Sequence, residues 1–141
     1  MTVPRAVGGL PLVIREGTPD YATTMIAIRE GNFGSRPSMS AEYVRFEPPK
    51  GIVTLVAGRA PINTTVGDVS LTVPEEWQRY GAITCAHLHF GGLRSRAMVC
   101  WYSSAEFGAS ATSGLGFPDL SELAAALEAV VPELRDGARV G

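Results

Sequence analysis

Both cysteines and both histidines of this chain lie in one stretch, Ala82–Tyr102. Two runs of strand-forming residues flank Gly91-Gly92 there, which is typical of a β-hairpin. Because successive side chains of a strand point to opposite faces, Cys85, His87 and His89 share one face of the first strand. The metal-binding, nucleophilic and imidazole side chains are therefore predicted to gather on one face of one hairpin.

The position of the turn decides which residues face one another across this hairpin. We place a two-residue turn at Gly92-Leu93, since glycine comes first in a type II′ turn. This register pairs Cys85 with Cys100, His87 with Met98, and His89 with Arg96, and on the apolar face it pairs Thr84 with Trp101, Ala86 with Val99, and Leu88 with Ala97. Two cysteines and two histidines would then lie on the same face.

A metal site on this face would use Cys85, His87, His89 and Cys100, a set of ligands that zinc accepts. However, side chains at i, i+2 and i+4 of one strand spread over ~13 Å, so at most two of them reach one ion. The paired C-x-x-C spacing of structural zinc sites is absent. We therefore expect no bound metal and no cofactor.

The two cysteines allow a different interpretation. Directly opposed strand positions come close enough for a disulfide between Cys85 and Cys100. Two cysteines in 141 residues do not make a disulfide scaffold, and the compartment indicated by the rest of the sequence is reducing. Free thiols that behave as small buried hydrophobic side chains are the expectation.

Nucleophilic catalysis is the third chemistry that these residues suggest. Cys85 and His87 face the same way but stand ~6–7 Å apart, which is longer than a hydrogen bond. The sequence contains neither a nucleophile elbow nor a phosphate-binding glycine loop. A small intracellular enzyme or ligand-binding barrel that uses Cys85, His87 and His89 stays open as an alternative, and no catalytic residue is assigned.

Composition narrows the classes of function. The chain has 141 residues, 45% of them hydrophobic and 18% charged, and a net charge of −2, which indicates one globular domain over residues 1–141. No basic cluster is present, so nucleic acid is not an expected partner. Apolar runs are shorter than the ~20 residues that span a bilayer, so no membrane association is expected. No signal-peptide pattern occurs, which favours the cytoplasm or a particle assembled there.

Arginine strongly outnumbers lysine in this chain. Lys50 is the single lysine, against eleven arginines. Together with the richness in Ala, Val and Gly, this indicates a high-GC bacterial or phage coding sequence.

The apolar pattern predicts the elements that position the hairpin. Residues 1–9 form an extended N-terminal arm. Residues 31–40 and 103–117 are loops, and the second of these is long, rich in Gly, Ala and Ser, and typical of functional or interface loops. Residues 74–81 form one or two helical turns. Besides the hairpin, strands are predicted at Leu10–Arg15, Tyr21–Glu30, Ala41–Glu47, Ile52–Ala57 and Val69–Val73.

The last element is an amphipathic helix over residues 119–135. Its apolar residues recur with i, i+3, i+4, i+7 spacing. Asp119 is the predicted N-cap, with Glu122 three residues later as in a capping box. Pro132 cannot donate to the helical ladder, so we expect the helix to end or kink at Val131.

These elements predict an α+β fold, a mainly antiparallel curled sheet or partial barrel of about six to seven strands with one C-terminal helix. Low charge, a β-rich build and a long small-residue loop favour a non-catalytic structural subunit. It would self-associate, or bind protein within a larger complex such as a phage or virion particle. An immunity-type protein binder is a further alternative. The predicted interface residues are Trp77, Tyr80, Arg94, Arg96, Phe107 and Phe117, because aromatic residues and arginine are enriched at binding hot spots.

Overall fold

A computed structural model describes residues 3–14, 28–34, 36 and 38–140. These residues form one eight-stranded antiparallel sheet, in the order β1-β2-β3-β4-β8-β7-β6-β5, and the sheet is not closed. The α+β class is confirmed, with eight strands rather than six or seven. The strands are β1 Ala6–Val7, β2 Leu10–Ile14, β3 Ser38–Arg45, β4 Gly51–Gly58, β5 Gln78–Tyr80, β6 Ile83–Phe90, β7 Leu93–Ser103 and β8 Gly108–Leu115.

Two helices and two short helical turns complete the described part of the chain. Residues 28–33 are helical and are called α1 here. The C-terminal helix, α2, spans Leu120–Val140, and 3₁₀ turns occur at Val69–Leu71 and Pro74–Glu76. The long connection between β4 and β5, residues 59–77, carries both turns and leads from the middle of the sheet to its edge.

Strand β8 overturns the prediction of a loop over residues 103–117. It lies in the middle of the sheet, between β4 and β7. Its residues from Gly108 to Gly114 are all Gly, Ala, Ser or Thr, so it shows none of the apolar alternation that indicates a strand. Pairing on both sides compensates, since Ala109 lies opposite both Ala57 and Tyr102.

Other predictions fail where tertiary contacts override local pattern. The strand over Tyr21–Glu30 is wrong at residues 28–30, which are helical, and residues 21–27 lie outside the described part. Part of the predicted loop over 31–40 belongs to α1 and β3. The strand at Val69–Val73 is a 3₁₀ turn, because the Asp68 carboxylate accepts the Val69 N–H at 2.9 Å and caps it. The helical turn at Pro74 is found, but β5 follows it.

Within the predicted N-terminal arm, Ala6–Val7 form a short paired strand. Strand β1 pairs with β2, so that Val7 lies opposite Leu10. Both side chains are buried. The predicted strand at Leu10–Arg15 is confirmed over Leu10–Ile14, and Arg15 lies outside the described residues.

Helix α2 begins as predicted and ends later. The Asp119 carboxylate accepts the Glu122 N–H at 3.0 Å, which confirms the N-cap. The helix continues through Pro132 to Val140, so it does not end at Val131, which is one of the two outcomes predicted for that position. Pro132 removes the hydrogen bond to the Glu128 carbonyl, and both residues are exposed, so water can satisfy that carbonyl.

The sheet carries a hydrophobic core on each face. Helix α2 covers one face, which we call the helix face; Leu123, Leu127 and Leu134 are fully buried there. The opposite face, which we call the crossover face, is covered by α1 and residues 59–77. Its core consists of Phe33, Val56, Ala60, Ile62, Val69, Ala86, Leu88, Val99 and Trp101.

Candidate functional site

The hairpin that carries the cysteines and histidines is β6–β7, and most of its predicted register is confirmed. Thr84 lies opposite Trp101, Cys85 opposite Cys100, Ala86 opposite Val99, and His87 opposite Met98. The predicted pairing of His89 with Arg96 is wrong, because His89 lies opposite Arg94 and the register shifts between His87 and His89.

The turn itself is at Gly91-Gly92, not at Gly92-Leu93, since Phe90 lies opposite Leu93. Both glycines have positive φ, 59° and 81°, as a type I′ turn requires. Between the pairs His87–Met98 and His89–Arg94, β7 has two more residues than β6, and these extra residues form a bulge. The Ser95 hydroxyl holds the bulge by donating to the Leu88 carbonyl at 2.8 Å.

The cysteines form a disulfide, so the prediction of free thiols is wrong. Cys85 and Cys100 are directly opposed, with Cα atoms 4.1 Å apart. Both are fully buried on the helix face, and each sulfur lies 3.7 Å from the Leu120 carbonyl oxygen. Neither cysteine can therefore serve as the nucleophile or as a thiolate ligand in the sites considered from the sequence.

The two histidines lie near the C-terminal end of β6 and contact Glu76 and Arg94, which the sequence pattern does not group with them. His89 Nε2 lies 3.0 Å from Glu76 Oε1, and Arg94 donates to His87 Nδ1 at 3.0 Å. Glu76 arrives through the 3₁₀ turn before β5, the strand that pairs with β6. The cluster therefore joins the hairpin to the edge of the sheet.

The surroundings lower the pKa of both His87 and Glu76, which favours a neutral imidazole and an ionised carboxylate. Burial, with the nearby charge of Arg94, lowers the pKa of His87. A neutral His87 fits its contact, because guanidinium only donates and Nδ1 must accept. The hydrogen bond from His89 lowers the pKa of Glu76, so the carboxylate is ionised. Within the described ranges, no three His, Cys, Asp or Glu side chains are arranged to hold a metal ion.

A second polar cluster, which the sequence did not reveal, lies buried on the crossover face. Thr112 donates to Asp68 Oδ2 at 2.9 Å, and Asn32 Nδ2 donates to Ser110 Oγ at 3.0 Å. Asn32 and Ser110 are fully buried, and Asp68 is 6% exposed. Burial raises the pKa of Asp68 despite the hydrogen bonds that it accepts.

This cluster fastens the covering segments to the sheet. The main-chain carbonyl of Asn32 accepts the Asn63 N–H at 3.0 Å, so α1 and residues 59–77 are joined to each other as well as to β8. Asn32 Oδ1 is buried without a hydrogen-bond partner, and a Cβ on Gly67 would lie 2.3 Å from it. An open groove of about 340 Å³ is lined by Asn32 together with Phe33, Gly34, Arg36 and residues 60–63.

Large exposed hydrophobic side chains gather at one end of the sheet. Leu93 is 75% exposed, Phe46 74%, Leu115 54% and Phe90 51%, and we call these four residues the apolar end. Because neighbouring strands are antiparallel, the ends of β3, β8 and β6 and the start of β7 lie at the same end. Alternation from Leu88 places Phe90, and its partner Leu93, on the crossover face.

The predicted interface residues divide between surface and core. Arg94 and Arg96 are exposed on the strand that begins at Leu93, within the hairpin that carries the apolar end. Trp77 packs edge-on against Trp101 with ring centroids 5.0 Å apart. Tyr80 and Phe117 are partly buried against the helix-face core, and Phe107 is 3% exposed within it.

Comparisons with known proteins identify no relative. No family model, curated protein or solved structure matches this chain. Among the described residues, no helix has the length and apolarity needed to cross a membrane. The functional argument therefore rests on the geometry above.

Proposed function

We propose that this chain is a non-catalytic subunit that self-associates through the apolar end of its sheet. The observation that carries the proposal is the exposure of four large hydrophobic side chains at one end, two of them about three-quarters exposed. Large exposed hydrophobic side chains grouped at one end of a sheet are characteristic of protein-binding sites. The apolar end is the surface through which the structural subunit predicted from the sequence would associate.

The edges of the sheet support an end-on rather than an edge-on mode of association. The two edge strands are short, since β1 has two residues and β5 has three. Short edge strands offer few unpaired backbone groups to a neighbouring chain. The four side chains of the apolar end lie instead on β6, on β7, on β8 and just after β3.

The arrangement of the reactive side chains disfavours the enzyme alternative. The disulfide removes Cys85 and Cys100 from the candidate sites. His87 and His89 are occupied by Arg94 and Glu76. Asp68 is buried under the covering segments and hydrogen-bonded there. A particle assembled in the cytoplasm and then released would meet the oxidising surroundings in which a disulfide persists.

Sedimentation velocity and native mass spectrometry on the purified chain test the proposal. The wild type is expected to form multimers. A Phe90→Ser, Leu93→Ser double variant is expected to be monomeric, because both side chains are already exposed and contribute little to the fold.

The matched control replaces two exposed hydrophobic residues of the 59–77 connection, Val66→Ser and Leu71→Ser. These side chains are 51% and 43% exposed and lie outside the apolar end. The control is expected to associate like the wild type. A wild type that stays monomeric at high concentration contradicts the proposal, and so does normal association of the Phe90, Leu93 variant.

A further inference from the structure

Helix α2 shields the disulfide from solvent. Cys85 and Cys100 are both fully buried, and each sulfur lies 3.7 Å from the carbonyl oxygen of Leu120, the first residue of the helix. Within the sheet, Cys85 is also paired with Gln78 on β5, and Cys100 with Ala111 on β8. The two sulfur atoms therefore lie between hydrogen-bonded strands and the first turn of α2.

Thiol–disulfide exchange needs direct access to sulfur. A thiolate of a dithiol reductant attacks one sulfur, the S–S bond breaks, and the other cysteine leaves as a thiolate. The second thiol of the reductant then displaces the first, so the two cysteines gain two electrons and two protons and the reductant becomes a disulfide. A thiolate is charged, and a charge does not enter a packed apolar core without a partner. While α2 is packed on the sheet, a thiolate therefore cannot reach this bond.

The two ends of α2 are held to the sheet in different ways. Over the disulfide, the helix is held by the burial of Leu120 and Leu123, which is non-directional. At the other end, Arg135 donates to the Tyr102 hydroxyl, and its guanidinium lies 4.9 Å from the centroid of the Tyr102 ring. Pro132 interrupts the helical hydrogen bonds just before Arg135. The first turns can therefore leave the sheet while the other end stays fastened.

We propose that the N-terminal half of α2 is a lid on the Cys85–Cys100 bond. Thiol–disulfide exchange takes place only in a state in which these turns have left the sheet and the strands stay paired. Residues 116–119 join β8 to α2, so this opening unpairs no strand. The redox state of the pair is set before the helix packs or during such an opening, and the packed helix preserves it when the surroundings change. The lid does not depend on the proposed self-association.

The rate of reduction by dithiothreitol tests the lid. The oxidised chain is mixed with excess dithiothreitol, samples are quenched with N-ethylmaleimide in urea, and intact mass counts the labels. The wild type should be reduced about a hundredfold more slowly without denaturant than in it, because reduction then waits for a local opening.

Variants at the helix cap locate the opening. The Asp119 carboxylate accepts the Glu122 N–H and the Ser121 hydroxyl, and turns released from the sheet unwind and lose this cap. Asp119→Ala should therefore accelerate reduction about fivefold. Asp119→Asn keeps a capping side chain and should stay close to the wild type.

The matched control is Gly67→Ala, which crowds Asn32 under the crossover cover and leaves α2 unchanged. If reduction required unfolding of the whole chain, Gly67→Ala would accelerate it more than Asp119→Ala does, because it costs more stability. Reduction through the lid predicts an unchanged rate for Gly67→Ala. Thermal unfolding of each variant measures the loss of global stability for this comparison.

Three outcomes overturn the lid. They are wild-type reduction as fast without denaturant as in it, an unchanged rate in Asp119→Ala, and acceleration by Gly67→Ala. If the purified chain holds free thiols, the same variants are compared by the rate at which N-ethylmaleimide labels the chain without denaturant. The same order of rates is expected and the same three outcomes overturn the proposal, because the reagent must reach the same two sulfur atoms.

Discussion

The two faces of the sheet are stabilised in different ways. On the helix face, one regular element buries a continuous apolar stripe, and the cysteines beneath it form a disulfide. On the crossover face, α1 and the irregular 59–77 connection cover the sheet. Asn32 donates to Ser110 and Asp68 accepts from Thr112, which holds both segments to β8, and the Asn32 main-chain carbonyl accepts from Asn63, which joins them to each other. One cover is held by non-directional burial, and the other needs specific directional contacts.

The two faces also differ in their buried ionisable side chains. By alternation, Glu42 on β3 belongs to the crossover face; it is 2% exposed, and burial raises its pKa as it raises that of Asp68. The described core of the helix face contains no buried acidic or basic side chain, and its ionisable groups are the fully buried Tyr43 and the partly buried Tyr80 and Tyr102. Substitutions of the same chemical type should therefore have different effects on the two faces.

The largest effect is expected from truncation under the helix. Leu127→Ala removes a fully buried side chain and should lower the free energy of unfolding by about 3–5 kcal/mol. Leu88→Ala on the crossover face should lower it by about 2–3 kcal/mol, because an irregular cover collapses more readily into the space. Urea unfolding measures both, with Ala125→Ser at an exposed helix position as the control. Equal losses at the two leucines would contradict the distinction between the faces.

Removal of the disulfide should have the next largest effect. It closes a loop with a sequence separation of 15, so the Cys85→Ala, Cys100→Ala variant should lose about 3 kcal/mol of stability. Intact mass after alkylation in denaturant checks the bond directly. No label is expected without reductant, and two labels are expected after reduction. Two labels without reductant would show that the thiols are free.

The third largest loss of stability is expected when a Cβ is added at Gly67, next to the Asn32 side chain. Gly67 has a φ of 81°, and a Cβ there would lie 2.3 Å from Asn32 Oδ1, so Gly67→Ala should lower stability by about 2–3 kcal/mol. Gly81→Ala is the matched control, since its φ is 63° with nothing within 4 Å, and it should lose only about 1 kcal/mol. Faster amide exchange at Val69 and Asn63 would locate the damage in the crossover cover.

The smallest effect at neutral pH, and the sharpest in its pH dependence, is expected at Asp68. Because the pKa of Asp68 is raised in the folded chain, its neutral form favours folding below the pKa of the unfolded chain. That contribution is lost as the pH rises through the raised pKa. Asp68→Asn should therefore gain stability relative to the wild type as the pH rises from the ordinary pKa of an aspartate through the raised pKa of Asp68.

Subtracting the two unfolding curves at each pH isolates Asp68. Glu42, whose pKa is also raised, acts in the same direction in both proteins, whereas Glu76 and Asp119 have lowered pKa values and act in the opposite direction. All three contributions cancel in the difference. A difference that does not change with pH would mean that Asp68 is not buried in the way described.

The elements with a strong local pattern could be predicted from the sequence. The apolar stripe of α2 and the Asp119 cap are local signals, as are the alternating strands of the β6–β7 hairpin. That alternation predicts that His87 and His89 share one face. Their contacts with Glu76 and Arg94 depend on a glycine turn one residue away from the predicted one and on the path of the 59–77 connection.

The rest depends on contacts between distant parts of the chain. Nothing near Asp68 in the sequence indicates that it meets Thr112, and nothing near Asn32 indicates Ser110. Strand β8 has no hydrophobic pattern because its small side chains lie under tightly packed covers on both faces. A cover made of irregular segments leaves no periodic pattern by which it could be predicted.

The central position of β8 makes the order of synthesis important. Strand β4 leaves the ribosome with β3 as a neighbour, but its other edge pairs with β8, so that Ala57 meets Ala109. Until residues 108–115 have been made, the apolar segment Ile52–Val56 presents an open edge on which another nascent chain can form a strand. The late arrival of β8 closes that edge, and a chain that stops before it should aggregate rather than fold.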